Sequence, residues 1–413
     1  MDRLNTVLRI SGNILGKREK SSILLYVLVV AILVLLVVGL LLLSSVSYKY
    51  WDAKAYKSVQ SYNGINSGID YLLSEKQNQF FDTCIFFSGD TLRIKKERYG
   101  AFSLGTVGYG EIVKASFMGS DISEYDSLCC RMIGNSNPVV VCNNTVVKGN
   151  FLSANGLITS GTLYGVSYKN DSILYGSSYN MDNVKYENMG SGSITFPYQY
   201  RSIKDYDQHN DDIQNSFDSF KINISGTSGG LWYGRSINGR VVIICRDRVI
   251  IDDCRIQDAI IYAPEIIVRN CSTLCCQFFA ENKIVVETPC DFLYPSALVC
   301  RGLNENSGIE LAEKSSVNGI ILLEDTYNDS FNPILNLENC TIMGEVFWNN
   351  IVKIRDCSLH GHLCCKSIVF FDDINTFENH LWNVQVNMID IPEYYSFISN
   401  YGFPQTRIIK WLN

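Results

Sequence analysis

Apolar and polar positions alternate along the second half of the chain, then break step at a recurring place. The phrase is apolar, any, apolar, any, Asp or Asn, Cys. It occurs as Val249-Ile250-Ile251-Asp252-Asp253-Cys254, Ile266-Ile267-Val268-Arg269-Asn270-Cys271, Leu335-Asn336-Leu337-Glu338-Asn339-Cys340 and Val352-Lys353-Ile354-Arg355-Asp356-Cys357. Positions five and three before each Cys are apolar, while the residue between them tolerates Asn or Lys. That is the period-2 pattern of a strand with one buried face. Ile256, Ile342 and Leu359 stand two residues after their Cys. The inward positions are therefore minus five, minus three, zero and plus two. The odd step from minus three to zero requires a bend, which falls at the corner residues Asp253, Asn270, Asn339 and Asp356. Asp and Asn suit it because their side chains bond nearby backbone and tolerate left-handed dihedrals. Cys254, Cys271, Cys340 and Cys357 then form an inward core ladder.

Cys254 to Cys271 and Cys340 to Cys357 are both 17 residues apart. Self-similarity at a fixed period marks a stacked architecture. The unit of strand, corner and strand predicts a parallel β-solenoid, mainly β in class, with its main body at 238–372. Weaker copies surround Ser315 and Cys290, and Asn144-Thr145-Val146-Val147 and Ile158-Thr159-Ser160 predict early coils at 137–186. Residues 187–237 turn polar and Gly/Ser-rich and are expected to be an insertion or linker. Residues 80–135 show short apolar strands broken by Gly turns, a small β-rich region. Residues 373–413 lose the repeat, and Ile408-Ile409-Lys410-Trp411-Leu412 is expected to cap the open end of the stack.

Near the N-terminus, Ile23 to Leu43 is a run of 21 residues without a charge. At about 1.5 Å per residue it matches the roughly 30 Å hydrocarbon core of a bilayer. It predicts an uncleaved transmembrane helix, because a signal peptide has a shorter apolar stretch and a small-residue cleavage site. Arg3, Arg9, Lys17, Arg18 and Lys20 make residues 1–22 a cytoplasmic segment. Residues 48–413 are then expected outside the cytoplasm, periplasmic or at the cell surface. Val59, Tyr62, Ile65, Ile69 and Leu72 recur at helical spacing, so an amphipathic stalk helix is predicted over 48–76, weakened by Gly64 and Gly68.

The net charge of −7 among 413 residues argues against nucleic acid as a partner. Fifteen cysteines is an odd number. Stacked ladder thiols lie parallel, so disulfides are expected among the others: Cys84, Cys129, Cys130, Cys142, Cys275-Cys276 and Cys364-Cys365. The segment around His360 and His362 is the best metal-like cluster, but its spacing fits no zinc pattern. Parity also points both histidines outward, away from Cys357. Asp252-Asp253, Asp372-Asp373 and the His360-Gly361-His362 triplet lack the order that solenoid polysaccharide-cleaving enzymes use. No phosphate-binding loop, nucleophile elbow or dinucleotide fingerprint is present. No catalytic residue, metal or cofactor is therefore expected. Thr91, Ser127 and Ser172 follow Asp and precede an aliphatic residue, matching a short O-glycosylation acceptor pattern.

The short basic segment, single apolar helix, amphipathic extension Gly64-Ile65-Asn66-Ser67-Gly68-Ile69-Asp70-Tyr71-Leu72-Leu73 and following β-rich head resemble type IV pilin-like proteins over residues 1–80. Gly16 is followed by Lys17-Arg18-Glu19-Lys20 and no Glu enters the apolar run, so the prepilin cleavage motif is missing. The distal half is similar in repeat style to bactofilin-type and lyase-type solenoids. The resemblance implies an envelope structural or assembly protein whose partners are the lipid bilayer and other envelope or pilus-like subunits. The alternative expectation is a membrane-tethered module that binds or cleaves carbohydrate.

Overall fold

The computed structural model describes residues 2–412 except 75–79, 88, 121–127, 135–136, 181–211, 220, 228, 305, 325–331, 372–374, 393–394 and 397–405. The chain divides into two units, Met1–Gly64 and Ile65–Asn413. It is mainly β, with one helix, α1, running unbroken over Asp2–Ser74. The helix from Ile23 onward is a candidate membrane span, with a mean hydropathy of 3.4 in its most apolar window. Val59 and Tyr62, on the predicted amphipathic stripe, are exposed.

Within the second unit, the end of α1 packs on an antiparallel meander. Its strands are β1 (Phe81–Phe87), β2 (Asp90–Tyr99), β3 (Phe102–Tyr109) and β4 (Ile112–Ser120). Ile65, Ile69, Leu72 and Leu73 meet Leu92, Ile94, Val107 and Met118 in one core. Gly68 permits the approach, since a Cβ there would lie 2.5 Å from a Val107 methyl. A residue that lowers helix propensity is thus required by packing.

The meander gains a fifth strand from the far end of the chain. Thr406–Leu412 pairs antiparallel with β4, so this segment completes a sheet and does not cap the repeat stack as its position suggested. The pairing satisfies an edge that would otherwise stay open.

The repeats form a parallel ladder. Val249–Asp252 pairs with Ile266 to Arg269, Ile334–Glu338 with Ile351 to Arg355, and Thr341–Arg355 with Ser358–Phe371. All four corner residues adopt left-handed dihedrals: φ is 50° at Asp253, Asn270 and Asn339 and 53° at Asp356. The four repeat cysteines are buried in the principal core. In the Cys271 copy one extra residue intervenes, so Leu274 takes the place that Ile256, Ile342 and Leu359 hold in theirs.

Three boundaries differ from the sequence reading. The expected linker contributes to the ladder: Ile213–Asn215, Ile222–Thr227, Gly230–Tyr233 and Ser236–Gly239 pair with the rungs that follow them. Trp232, Ile224 and Ile237 supply its core contacts. His380–Trp382 and Gln385–Asn387 extend the ladder beyond 372. The early repeats stack at the unexpected end, with Leu128–Met132, Val139–Cys142 and Val146–Lys148 pairing with residues of 363–387. Stack order and chain order therefore differ.

A second core lies outside the ladder. Tyr99, Phe102, Leu104, Ala115 and Phe117 of the antiparallel sheet pack with Ile260, Tyr262, Phe279, Val299, Leu322 and Phe347 of the rungs. These ladder segments are buried on both faces, which explains continuous apolar runs such as Ile260-Ile261-Tyr262-Ala263 and Ile320-Ile321-Leu322-Leu323. Each fully buried aliphatic or aromatic side chain contributes about 1.5–3 kcal/mol.

Gly319, Gly344 and Gly361 are direct neighbours across three rungs, at φ of 153°, 142° and 147°. A Cβ on Gly344 would collide with the Gly319 carbonyl oxygen and approach the Tyr395 hydroxyl. Gly344→Ala is expected to cost at least about 3 kcal/mol. Gly165→Ala, at φ 75° in open space, is expected to cost about 1 kcal/mol. Denaturant midpoints of the two variants check this, and equal losses would refute the stacking argument.

Candidate functional site

The corner cysteines do more than fill space. The Cys254 amide donates to Cys271 Sγ at 3.4 Å, and the Cys340 amide to Cys357 Sγ at 3.4 Å. The same contact recurs with oxygen: Cys290 N–H to Ser315 Oγ at 3.2 Å and Val384 N–H to Thr145 Oγ1 at 3.3 Å. An amide turned inward at the bend finds its acceptor on the next rung, so Cys, Ser and Thr interchange there. The thiols in turn donate to carbonyls, as Cys357 does to Arg355 at 3.1 Å. Burial pushes Cys271 up to about 11 and Cys290 up to about 12. Protonated thiols of this kind are neither nucleophiles nor metal ligands at neutral pH.

All fifteen cysteines are free, and Cys84 alone is exposed. The expected disulfides are not formed, and in the doublets Cys275-Cys276 and Cys364-Cys365 successive residues face opposite ways. Cys276 and Cys365 enter the principal core while Cys364 enters the second core. His362 also departs from expectation. It leaves the ladder interior as parity requires, yet it is wholly buried, with Phe347 5.3 Å away. Parity sets direction; only the second layer decides exposure. Burial, with a smaller effect of Arg131, holds His362 down to about 3. Among the described residues, no group of three His, Cys, Asp or Glu side chains could hold a metal.

A groove of about 490 Å³ runs across successive rungs. Asn238, Arg255, Gln257, Thr273 and Tyr294 line it, and Lys410 reaches it from the C-terminal strand. Two of its lining residues, Cys275 and Lys410, meet Asp258 beside it, three side chains that no local pattern links. The Asp258 carboxylate accepts two bonds from Lys410 Nζ, at 2.7 and 2.8 Å. Cys275 Sγ lies 3.7 Å from Asp258 Oδ1 and 3.6 Å from Lys410 Nζ. Asp258 has φ 59° at a register shift in its strand, where a bulge re-aims side chains. Burial pushes the Cys275 thiol up to about 11, with Asp258 adding to the rise and Lys410 opposing it. The cluster has a nucleophile's constituents without an activated nucleophile. Chemically it is an ion pair that fastens the C-terminal strand to the ladder. The sequence reading missed Asp258 and Lys410; the available signal was a charge inside each of two apolar strands.

The remaining candidates are dispersed. Thr91 is exposed on β2 beside Asp90. Ser172 is half-buried and its hydroxyl donates to the Leu174 carbonyl at 3.0 Å. Ser127, Asp372 and Asp373 lie outside the described residues. Asp253 occupies its corner, and Asp356 accepts a 2.7 Å bond from Asn383.

Comparison with family models, curated proteins and solved structures finds no match to this chain.

Four outcomes follow from these placements. Lys410→Met is expected to destabilise by about 2–4 kcal/mol by leaving the Asp258 carboxylate unpaired, less than the full buried-pair loss because Lys410 is partly solvated. Adding Asp258→Asn should restore part of it; strictly additive losses in the double-mutant cycle would refute the coupling. Cys357→Ala, which orphans the Cys340 amide, is expected to cost about 1–3 kcal/mol more than Cys357→Ser. An alkylating reagent followed by mass spectrometry should modify one thiol in the folded chain and all fifteen after denaturation. Finally, the native His362 site disfavours the proton that the unfolded imidazole accepts near 6.5. Its stabilising contribution is full above that value and is lost as pH falls toward about 3. His362→Phe should therefore flatten the stability profile between pH about 5 and 6.5, the part of the window above the carboxylates.

Proposed function

We propose that the protein is a membrane-anchored structural or assembly subunit, pilin-like in layout, that presents a parallel β-solenoid outside the cytoplasm. In this reading residues 1–22 lie in the cytoplasm, 23–43 span the bilayer and 48–413 are extracytoplasmic. The observation that carries it is the end of α1. Ile65, Ile69, Leu72 and Leu73 are part of the core beneath β1 to β4, and they belong to the helix that carries the apolar run. The ladder exterior adds cross-rung ion pairs, such as Lys283–Glu310 at 2.8 Å and Arg301–Glu324 at 2.7 Å. Each is worth at most about 1 kcal/mol, and together they make a charged, non-adhesive face suited to display.

The groove favours a second reading, carbohydrate binding. Asn238, Gln257 and Thr273 offer amide and hydroxyl groups beside the Tyr294 ring, the mixture that neutral sugars use. Hydrolysis has less support, because Asp258 is committed to Lys410.

Deletion of the gene in its own host should abolish a surface appendage or envelope complex. Normal assembly together with polysaccharide turnover by the purified protein would replace the structural reading with the carbohydrate one. A membrane-impermeant maleimide should label Cys84 in intact spheroplasts; labelling only after lysis would overturn the assigned orientation.

A further inference from the structure

The antiparallel sheet and the ladder part company at one end of their shared core. Arg93, Lys95, Glu97 and Tyr99 occupy alternate positions and so share one face of β2. Tyr99 enters the second core, whereas Arg93 and Lys95 extend beyond it. Thr106 and Gly108 of β3 and Val113 of β4 continue the same overhang, and Phe217, Asp218, Ser219, Lys221 and Arg240 close it from the ladder side. The result is a pocket of about 390 Å³ with Phe217 and Val113 as its apolar wall.

Its charge is unlike that of the chain. Arg93, Lys95, Lys221 and Arg240 all line the pocket, against Asp218 as its only lining carboxylate, on a protein of net charge −7. Nearby acids partly balance them: Asp82 pairs with Arg93 at 2.8 Å, and Glu97 pairs with both Lys95, at 2.6 Å, and Arg240. Arg240 is held in place by bonds to the Phe217 and Ser219 carbonyls. The local total remains one positive charge, from four cations against Asp82, Glu97 and Asp218.

We propose that this pocket binds a compact oxyanion, a sulfate, phosphate or carboxylate group, carried either by a free ion or by an acidic glycan. The guanidinium groups offer such a group the donors not already bonded to Asp82, Glu97 and the carbonyls, and the lysines add point charges around it. The apolar wall excludes water on one side and strengthens the attraction. Lys221 is a sensitive reporter of occupancy. Burial lowers it to about 8, Glu97 raises it, and Arg240 and Lys95 lower it. Arg93 and Asp218 are the other charged groups lining the space. A bound anion favours its protonated form, so affinity should be highest below pH about 8 and fall as pH rises through that value.

The test uses the full chain in detergent, titrated with sodium sulfate and with inorganic phosphate against chloride at constant ionic strength, read by calorimetry. Saturable binding of sulfate or phosphate is expected. Lys221→Gln should weaken it about tenfold, the order of one charge-assisted hydrogen bond, while Lys221→Arg retains it and Lys353→Gln, outside the pocket, leaves it unchanged. Because sulfate keeps its charge from pH 6 to 9, loss of affinity over that range reports the protein. A sulfated or uronate-containing oligosaccharide that binds more tightly than the free ions assigns the glycan source; equal affinity assigns the free ion. No saturable heat over chloride, or equal weakening by Lys221→Gln and Lys353→Gln, would overturn the proposal. This pocket is separate from the groove and from the display role, so its failure leaves both standing.

Discussion

The corner amide is the constraint on which the ladder depends. A strand that turns while keeping both arms inward directs one N–H away from ordinary sheet pairing. An unsatisfied buried N–H costs about 1–3 kcal/mol at every rung. The chain answers with two residues in succession. Asp or Asn takes the left-handed dihedral at the four Cys corners, as Lys314 does before Ser315, and Cys, Ser or Thr places an acceptor where the neighbouring rung's amide needs one. The phrase recurs because the problem recurs. Its regularity belongs to the backbone, and the thiols are parts of a hydrogen-bond ladder.

A second constraint is the covering of the ladder's outer face. Burying that face against the antiparallel sheet places polar groups in a region with little water, and three of them show how partners are supplied. Tyr99 Oη lies within 3.4 Å of the carbonyls of Gly239, Val241 and Asp258. Gln277 spans the boundary, accepting from the Ala101 amide at 2.8 Å and donating to the Tyr99 carbonyl at 3.1 Å. Lys410 and Asp258 make the charged counterpart. These contacts set how the layers register, since apolar packing alone would tolerate sliding.

Both concavities with developed chemistry lie at margins of this layered interface. The groove forms where Lys410 meets the rungs, and the basic pocket forms where β2 to β4 overhang Phe217, Asp218, Ser219 and Lys221. Rigid layers that diverge leave preorganised space lined by side chains from distant parts of the chain. The repeat contributes to the first of them directly, since Asp253, Cys254, Asn270 and Cys271 are among the residues that line the groove.

Much of the ladder was legible in the sequence because its cause is local. Six consecutive residues decide a strand, a left-handed corner and an inward Cys, and the apolar run of Ile23 to Leu43 decides a long helix. What lay beyond local pattern was decided by tertiary structure. Residues 213–239 join the ladder although their polarity reads as linker, because pairing with the next rung satisfies their backbone. Thr406–Leu412 pairs with β4 nearly 300 residues away, and Leu128–Met132, Val139–Cys142 and Val146–Lys148 stack on the last repeats. No periodicity encodes such partners. His362 shows the same limit at one side chain: alternation tells which face it leaves by, and only the arrangement of layers tells that this face is buried. Short-range sterics and hydrogen bonding write the rung into the chain, whereas the choice of what covers it is a property of whole surfaces.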